Sequence, residues 1–246
     1  VAAYRERRDG ADGAQRALDP LDAGAAGHAA DTDLDGFDDL AVGAPSYGTS
    51  PESPSDGAVH IYRGKGPDNI DDGGLYWDPI KSFVSDPTAS PTSRFGAALA
   101  YADIGGDQHP DLVVGQPGFE GPEVDQEQLG AIQIFEGRNY LFDSDREELA
   151  EESAAWTALG PRPGEQLGSS IALGDLDGDD RLDLIAGAPF VGIPPAGHMH
   201  EEDSAPKDSG RIALFTGLES DFFELLPIWH GELGQEPSPG DPSQLD

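Results

Sequence analysis

Residues 175–189 read DLDGDDRLDLIAGAP, and this stretch occurs three times in the chain. Residues 31–45 are DTDLDGFDDLAVGAP and residues 103–117 are DIGGDQHPDLVVGQP. Each copy opens with carboxylates at alternate positions, runs into a short apolar segment and closes on Gly-x-Pro. The starts at Asp31, Asp103 and Asp175 lie 72 residues apart, twice over without drift. A repeat held at constant period means one structural unit used several times, so it governs every other assignment.

Aligned on that period, the flanking segments also recur. Upstream, residues 95–101 (FGAALAY) and 167–173 (LGSSIAL) read as short strands of small and apolar residues. The first copy has AGAAGHA over residues 23–29, which brings little side chain to pack and should make the weakest strand of its kind. Downstream of the carboxylates, DLAVGA, DLVVGQ and DLIAGA are β-type runs closed by Gly and Pro. A third strand recurs between glycines: AVHIYR, AIQIFE and RIALFT. There the alternation Val59/Ile61, Ile132/Ile134 and Ile212/Leu214 predicts one inward apolar face. A weaker fourth strand falls near residues 80–84, 154–158 and 225–229, with Trp156 and Trp229 nearly in register. Four short strands recurring at constant spacing predict an all-β fold of β-propeller blades. The expected division is a tail over 1–16, blades over 17–88, 89–160 and 161–232, and a lead-in to a further blade or a tail over 233–246. Three blades do not close a ring, since propellers have about four to eight. Further blades or self-association are therefore expected.

Composition narrows the partners. The 246 residues carry 14 Lys+Arg against 48 Asp+Glu, a formal net charge of -34. Nucleic acid is a poor partner for such a surface, and so is an anionic membrane. The cluster Arg5, Arg7 and Arg8 reads as a solvated patch. Divalent cations are the natural counter-ions, although the eleven candidate-ligand acids of the three loops account for only part of the excess. The remainder suggests an acidified surface suited to a saline milieu. With no cysteine, disulfides, zinc-thiolate sites and thiol nucleophiles are excluded. No apolar run reaches the roughly 18–20 residues of a membrane helix.

Carboxylates at positions 1, 3 and 5 of a tight loop point oxygens at one centre. Position 7 adds a carbonyl and position 9 another carboxylate. Hard oxygen donors at flexible distances suit calcium better than magnesium, and transition metals would ask for His or Cys. An EF-hand would need a Glu at position 12, where this chain has Val42, Val114 and Ala186, and helices where it has strands. The competing reading is an acidic turn whose Asp side chains cap backbone amides. That alternative weighs most on the second loop, where Gly105 replaces the position-3 acid and Gln108 the turn glycine.

The full pattern, (F/L)-G, then D-x-D-x-D-G-x-x-D-L-x-x-G-A-P, then G-x-h-x-h-h-x-G, resembles the FG-GAP repeat of integrin α-subunit β-propellers, over about residues 17–232. The resemblance implies calcium bound by the side chains at positions 1, 3, 5 and 9 and the carbonyl at 7. In the first loop these are Asp31, Asp33, Asp35, the Phe37 carbonyl and Asp39. In the second they are Asp103, Asp107, the His109 carbonyl and Asp111, which should make the weakest site. In the third they are Asp175, Asp177, Asp179, the Arg181 carbonyl and Asp183. Departures from the pattern are Ala23, Leu167, Gln116 and Gly105.

Other chemistry is thinly represented. His198, His200, Glu201, Glu202 and Asp203 share the longest inter-strand loop and read as a polar insertion rather than a metal site. No nucleophile elbow, phosphate loop or H-E-x-x-H motif is present. The expected function is a non-catalytic, calcium-stabilised module for interaction or adhesion at the cell surface or outside it. Its protein or glycan ligand would meet the unlike loops 46–56, 118–129 and 190–209, because binding concentrates in loops on a rigid scaffold. The alternatives are an accessory propeller of a secreted, phospholipase-like hydrolase and a carbohydrate-binding propeller lectin.

Overall fold

The computed structural model describes residues 26–48, 57–65, 75–76, 79–84, 93–121, 127–137, 154–190, 210–217, 223–225 and 231–232. The tail over 1–16, the pair Ala23 and Gly24, Trp229, the His198 cluster and residues 233–246 lie outside them.

The described residues form three antiparallel sheets. The first runs β1 (Ala26–Ala30), β2 (Asp39–Ala44), β3 (Ala58–Tyr62) and β4 (Lys81–Val84), hydrogen-bonded in that order. The second repeats it with β5 (Ala98–Ala102), β6 (Asp111–Gln116), β7 (Ala131–Phe135) and β8 (Trp156–Leu159). The third has β9 (Ser170–Gly174), β10 (Asp183–Ala188), β11 (Arg211–Gly217) and an outer edge in two pieces. Of these, β12 (Phe223–Leu225) pairs with the end of β11 and β13 (Gly231–Glu232) with its start. Register is the same in all three sheets: Ala30 faces Asp39, Ala102 faces Asp111 and Gly174 faces Asp183. Each acidic loop therefore begins and ends on the same rung.

The apolar core lies between the sheets. Val59, Ile61 and Phe83 of the first sheet pack on Leu99, Tyr101, Leu112, Val114 and Phe135 of the second. The other face of the second sheet packs Ala100, Val113, Ile132 and Ile134 on Leu184, Ala186, Ala213 and Phe215 of the third. Side chains alternate across a strand, so the middle sheet needs apolar residues on both faces, and β6 is buried along its whole length. Each fully buried Ile or Leu here contributes about 1.5–3 kcal/mol. Phe135 meets Phe83 at 5.1 Å and Phe95 edge-on at 6.1 Å between ring centroids. Trp156 meets Phe215 edge-on at 5.5 Å in the second interface.

Ile212 and Leu214 depart from the expected inward face. Ile212 is 40% exposed, whereas their neighbours Ala213 and Phe215 are buried. The equivalent Val59/Ile61 and Ile132/Ile134 are buried because each faces the next sheet. No fourth sheet covers β11 among the described residues.

The joints between sheets use the recurrent glycines. Gly57 pairs in parallel with Phe95, and Gly130 with Leu167, each bridging one sheet to the next. Gly115 at the end of β6 presses on Gly168: a Cβ there would overlap the Gly168 carbonyl oxygen and stand 3.1 Å from its carbon. The inner strands consequently begin about three residues later than the apolar pattern does.

Candidate metal centre

Each acidic loop is organised by its first carboxylate. Asp31 accepts the N–H groups of Asp35 (3.0 Å) and Gly36 (2.9 Å). Asp103 accepts those of Asp107 (2.9 Å) and Gln108 (2.8 Å). Asp175 accepts those of Gly178 (2.7 Å), Asp179 (3.2 Å) and Asp180 (3.2 Å). The carboxylate at position 5 closes a second turn: Asp35 on Phe37 N–H (3.0 Å), Asp107 on His109 N–H (2.9 Å) and Asp179 on Arg181 N–H (3.0 Å). The amide-capping role and a ligand role coexist, since a carboxylate offers about four lone pairs.

The loops require left-handed backbone at positions 4 and 6. Position 4 is Leu34 (φ 58°), Gly106 (70°) and Gly178 (82°), and position 6 is Gly36 (91°), Gln108 (75°) and Asp180 (66°). A side chain costs roughly 1–2 kcal/mol in this region. Leu34 is also half-exposed, so no packing is lost with it. Leu34→Gly is expected to stabilise the chain by about 0.5–1 kcal/mol in urea unfolding, after allowing for the freer unfolded glycine. A loss of stability would show that the strain is absorbed elsewhere.

The position-9 carboxylates stand apart. Asp39, Asp111 and Asp183 are buried. Asp39 accepts from Gly64 N–H (2.8 Å) and from the Thr32 amide (3.3 Å) and hydroxyl. Asp111 accepts from Gly137 N–H (2.9 Å), Ile104 N–H (2.9 Å) and Gly105 N–H (3.3 Å). Asp183 accepts from Gly217 N–H (3.3 Å) and Leu176 N–H (2.7 Å). Each thus ties its loop to the glycine that ends or follows the third strand. Sequence reading marked those glycines as strand boundaries and missed the bond that holds them.

Asp31, Asp33 and Asp35 bring carboxylate oxygens within 4.8 Å of one another, as do Asp175, Asp177 and Asp183. The middle loop, with Gly105 in place of the third acid, forms no such group among the described residues. Burial pushes the Asp33 carboxyl above its ordinary range, helped by the charge of Asp39 and opposed by Arg63. Asp177 is raised as well, with Asp179, Asp183 and Asp175 adding like-charge repulsion to desolvation. Burial raises Asp111, against the N–H groups that bond it. Converging carboxylate oxygens fit a hard divalent cation, which would neutralise their mutual repulsion. Phe37, His109 and Arg181 occupy position 7, each with its amide in the second turn.

Two basic side chains already touch these loops. Arg63 pairs with Asp33 and, at 3.0 Å, with Asp35. Arg181 pairs with Asp179 at 3.0 Å. Arg63 follows β3 and carries no motif of its own. Only the fold brings it to the loop.

Four-stranded antiparallel sheets stacked face to face, each with an acidic loop between its first two strands, are the blades of a β-propeller. A family model described as FG-GAP repeat matches residues 23–62 and 167–215, so the chain carries FG-GAP repeats over those two stretches. The middle copy, with Gly105, Gln108 and Gln116, falls outside the matched residues. Among curated proteins, the chain is 32% identical over 191 residues to phosphatidylinositol-glycan-specific phospholipase D of Mus musculus, covering 76% of this chain and 19% of that protein. It is 37% identical over 114 residues to the Rattus norvegicus enzyme, covering 44% of this chain and 13% of that protein. Integrin alpha-7 of Homo sapiens is 35% identical over 107 residues, covering 41% of this chain and 8% of that protein. The chain therefore spans less than a fifth of the length of these relatives. Among the described residues, no helix is long and apolar enough to cross a membrane.

Proposed function

We propose that this chain is a calcium-stabilised propeller segment that serves as a non-catalytic interaction module outside the cell. The observation that carries the reading is the recurrence of one loop geometry at the same rung of every sheet, with three carboxylates converging in two of them. The proposed ligands are Asp31, Asp33, Asp35, the Phe37 carbonyl and Asp39 in the first loop. Asp103, Asp107, the His109 carbonyl and Asp111 serve the second, and Asp175, Asp177, Asp179, the Arg181 carbonyl and Asp183 the third. The ion would cancel the repulsion among carboxylates that lie close together. Millimolar extracellular calcium would fill even weak sites. The protein or glycan ligand would meet loops 46–56, 118–129 and 190–209. The face of β9–β11 that no sheet covers among the described residues, with Ile212 exposed, supports a further blade or another copy as its cover.

The phospholipase D matches favour a second reading, an accessory propeller of a hydrolase whose chemistry lies outside this segment. Binding assays on the isolated chain separate the two: an interaction module retains its ligand without a catalytic partner.

Calcium removal tests the core of the proposal. A ligand at 100-fold saturation adds about 2.7 kcal/mol per site. With two well-formed sites, chelation should lower Tm by about 10–20 °C for a chain of this size. An unchanged melt, on protein stripped of metal and then returned to calcium, would sink the reading.

A further inference from the structure

We propose that the residue just ahead of the glycine closing the third strand sets how tightly each loop holds its cation, and that Arg63 is a tethered cation competing with calcium in the first blade. The inference rests on the calcium reading above. Gly64, Gly137 and Gly217 each donate an N–H to the position-9 carboxylate, at 2.8, 2.9 and 3.3 Å. That bond fixes the preceding residue beside the loop in all three blades. The residue is Arg63 in the first blade, Glu136 in the second and Thr216 in the third.

In the first blade the contact is direct. Asp33 uses Oδ1 for the Asp35 amide (3.2 Å), and Asp35 uses Oδ1 for the Phe37 amide (3.0 Å). Their Oδ2 atoms remain for a cation, and the Arg63 guanidinium takes both. The Arg63 side chain is 42% exposed, so it can leave for solvent when calcium arrives. Calcium must therefore displace a bound positive charge, which weakens its apparent affinity by mass action. In the third blade the equivalent residue, Thr216, carries no charge, and Arg181 of the loop itself meets Asp179. Counting carboxylates makes the first and third loops equal, with four each, but Arg63 takes two of the converging carboxylates in the first, which ranks the third tighter. In the second blade Glu136 stands at the same backbone position, where its carboxylate would offset the acid lost at Gly105.

Glycine amides give a readout for each loop. In a chain labelled with 15N-glycine and stripped of metal, Gly36, Gly106 and Gly178 report the three loops during a titration with Ca2+ alone. Gly178 should respond at lower calcium than Gly36. Arg63→Gln should lower the Gly36 midpoint about three- to fivefold, the upper end of what losing one semi-exposed ion pair gives. It should leave the Gly178 midpoint within about twofold. Arg63→Lys, which keeps the tethered charge, should stay near the wild-type midpoint. Thr216→Arg should raise the Gly178 midpoint, and Glu136→Gln should raise that of Gly106. If Arg63→Gln leaves Gly36 unmoved while calcium still shifts all three glycines, the competition is refuted and the calcium reading stands. If Arg63→Gln does not fold, the Thr216→Arg arm decides, and an unmoved Gly178 overturns the proposal. If calcium moves none of the three glycines, both readings fall together.

Discussion

Gly115→Ala is expected to cost about 3 kcal/mol or more, lowering Tm by roughly 6–12 °C in excess calcium. The new methyl would overlap the carbonyl oxygen of Gly168, and its other close neighbours are the Gly168 carbon and the Ala98 Cβ. The oxygen and carbon are backbone, and cannot rotate aside. Gly168 itself sits at φ 87°, where a Cβ would collide with the Ala131 carbonyl, so both strands are already at closest approach. β6 is buried on both faces, and relief would require the second and third sheets to part, opening the cluster around Ile132, Ile134 and Leu184. The control is Gly187→Ala, at the same place in the motif. A Cβ at Gly187 meets chiefly the hydroxyl of Ser170, an exposed side chain that can turn away. That change should cost less than about 1 kcal/mol. Equal losses in the two variants would show that the motif glycine serves its own sheet rather than the joint between sheets.

The second large effect is expected at Asp111→Ala. Its carboxylate is 3% exposed and accepts three backbone N–H groups, from Gly137, Ile104 and Gly105. Removing it leaves buried donors without a partner, each worth about 1–3 kcal/mol. Water can reach some of them at the loop, and burial already works against the charged form of Asp111, so the net loss should be about 3 kcal/mol. That loss should persist in chelator, because the bonds it breaks belong to the protein, and it should grow in calcium, where a proposed ligand goes with them. Asp107→Asn supplies the contrast. The asparagine keeps an oxygen for the His109 amide and loses only charge, so its effect should appear with calcium and vanish without it. Urea unfolding of both variants in each condition makes the comparison. If Asp111→Ala is harmless in chelator, the position-9 carboxylate serves the ion alone.

Much of the scaffold is legible in the chain. The bounds of β2, β6 and β10 follow from the run between carboxylate and Gly-x-Pro, because that run is continuous and its ends are marked by turn residues. The third strands follow from glycines that bracket β-branched and aromatic residues. The inner strands are read less well. Phe95 and Leu167 look like their first residues but form the bridge to the preceding sheet. The outer strands carry little pattern: along β8, half-buried positions alternate with exposed ones. In the third sheet the outer edge is split between β12 and β13, which no spacing in the sequence announces.

What the sequence by itself determined is the repeat, its period, the loop chemistry and the order of strands within each unit. These depend on residues close together in the chain, where spacing translates directly into geometry. The tertiary structure alone decided which face of each strand is covered. Ile132 and Ile212 occupy one motif position, yet the first is buried and the second exposed, because only one has a sheet against it. It also decided what else touches the acidic loops. Asp39 bonds a glycine 25 residues away and Asp35 meets an arginine 28 residues away. Such meetings are set by how strands pair, and no local pattern encodes them.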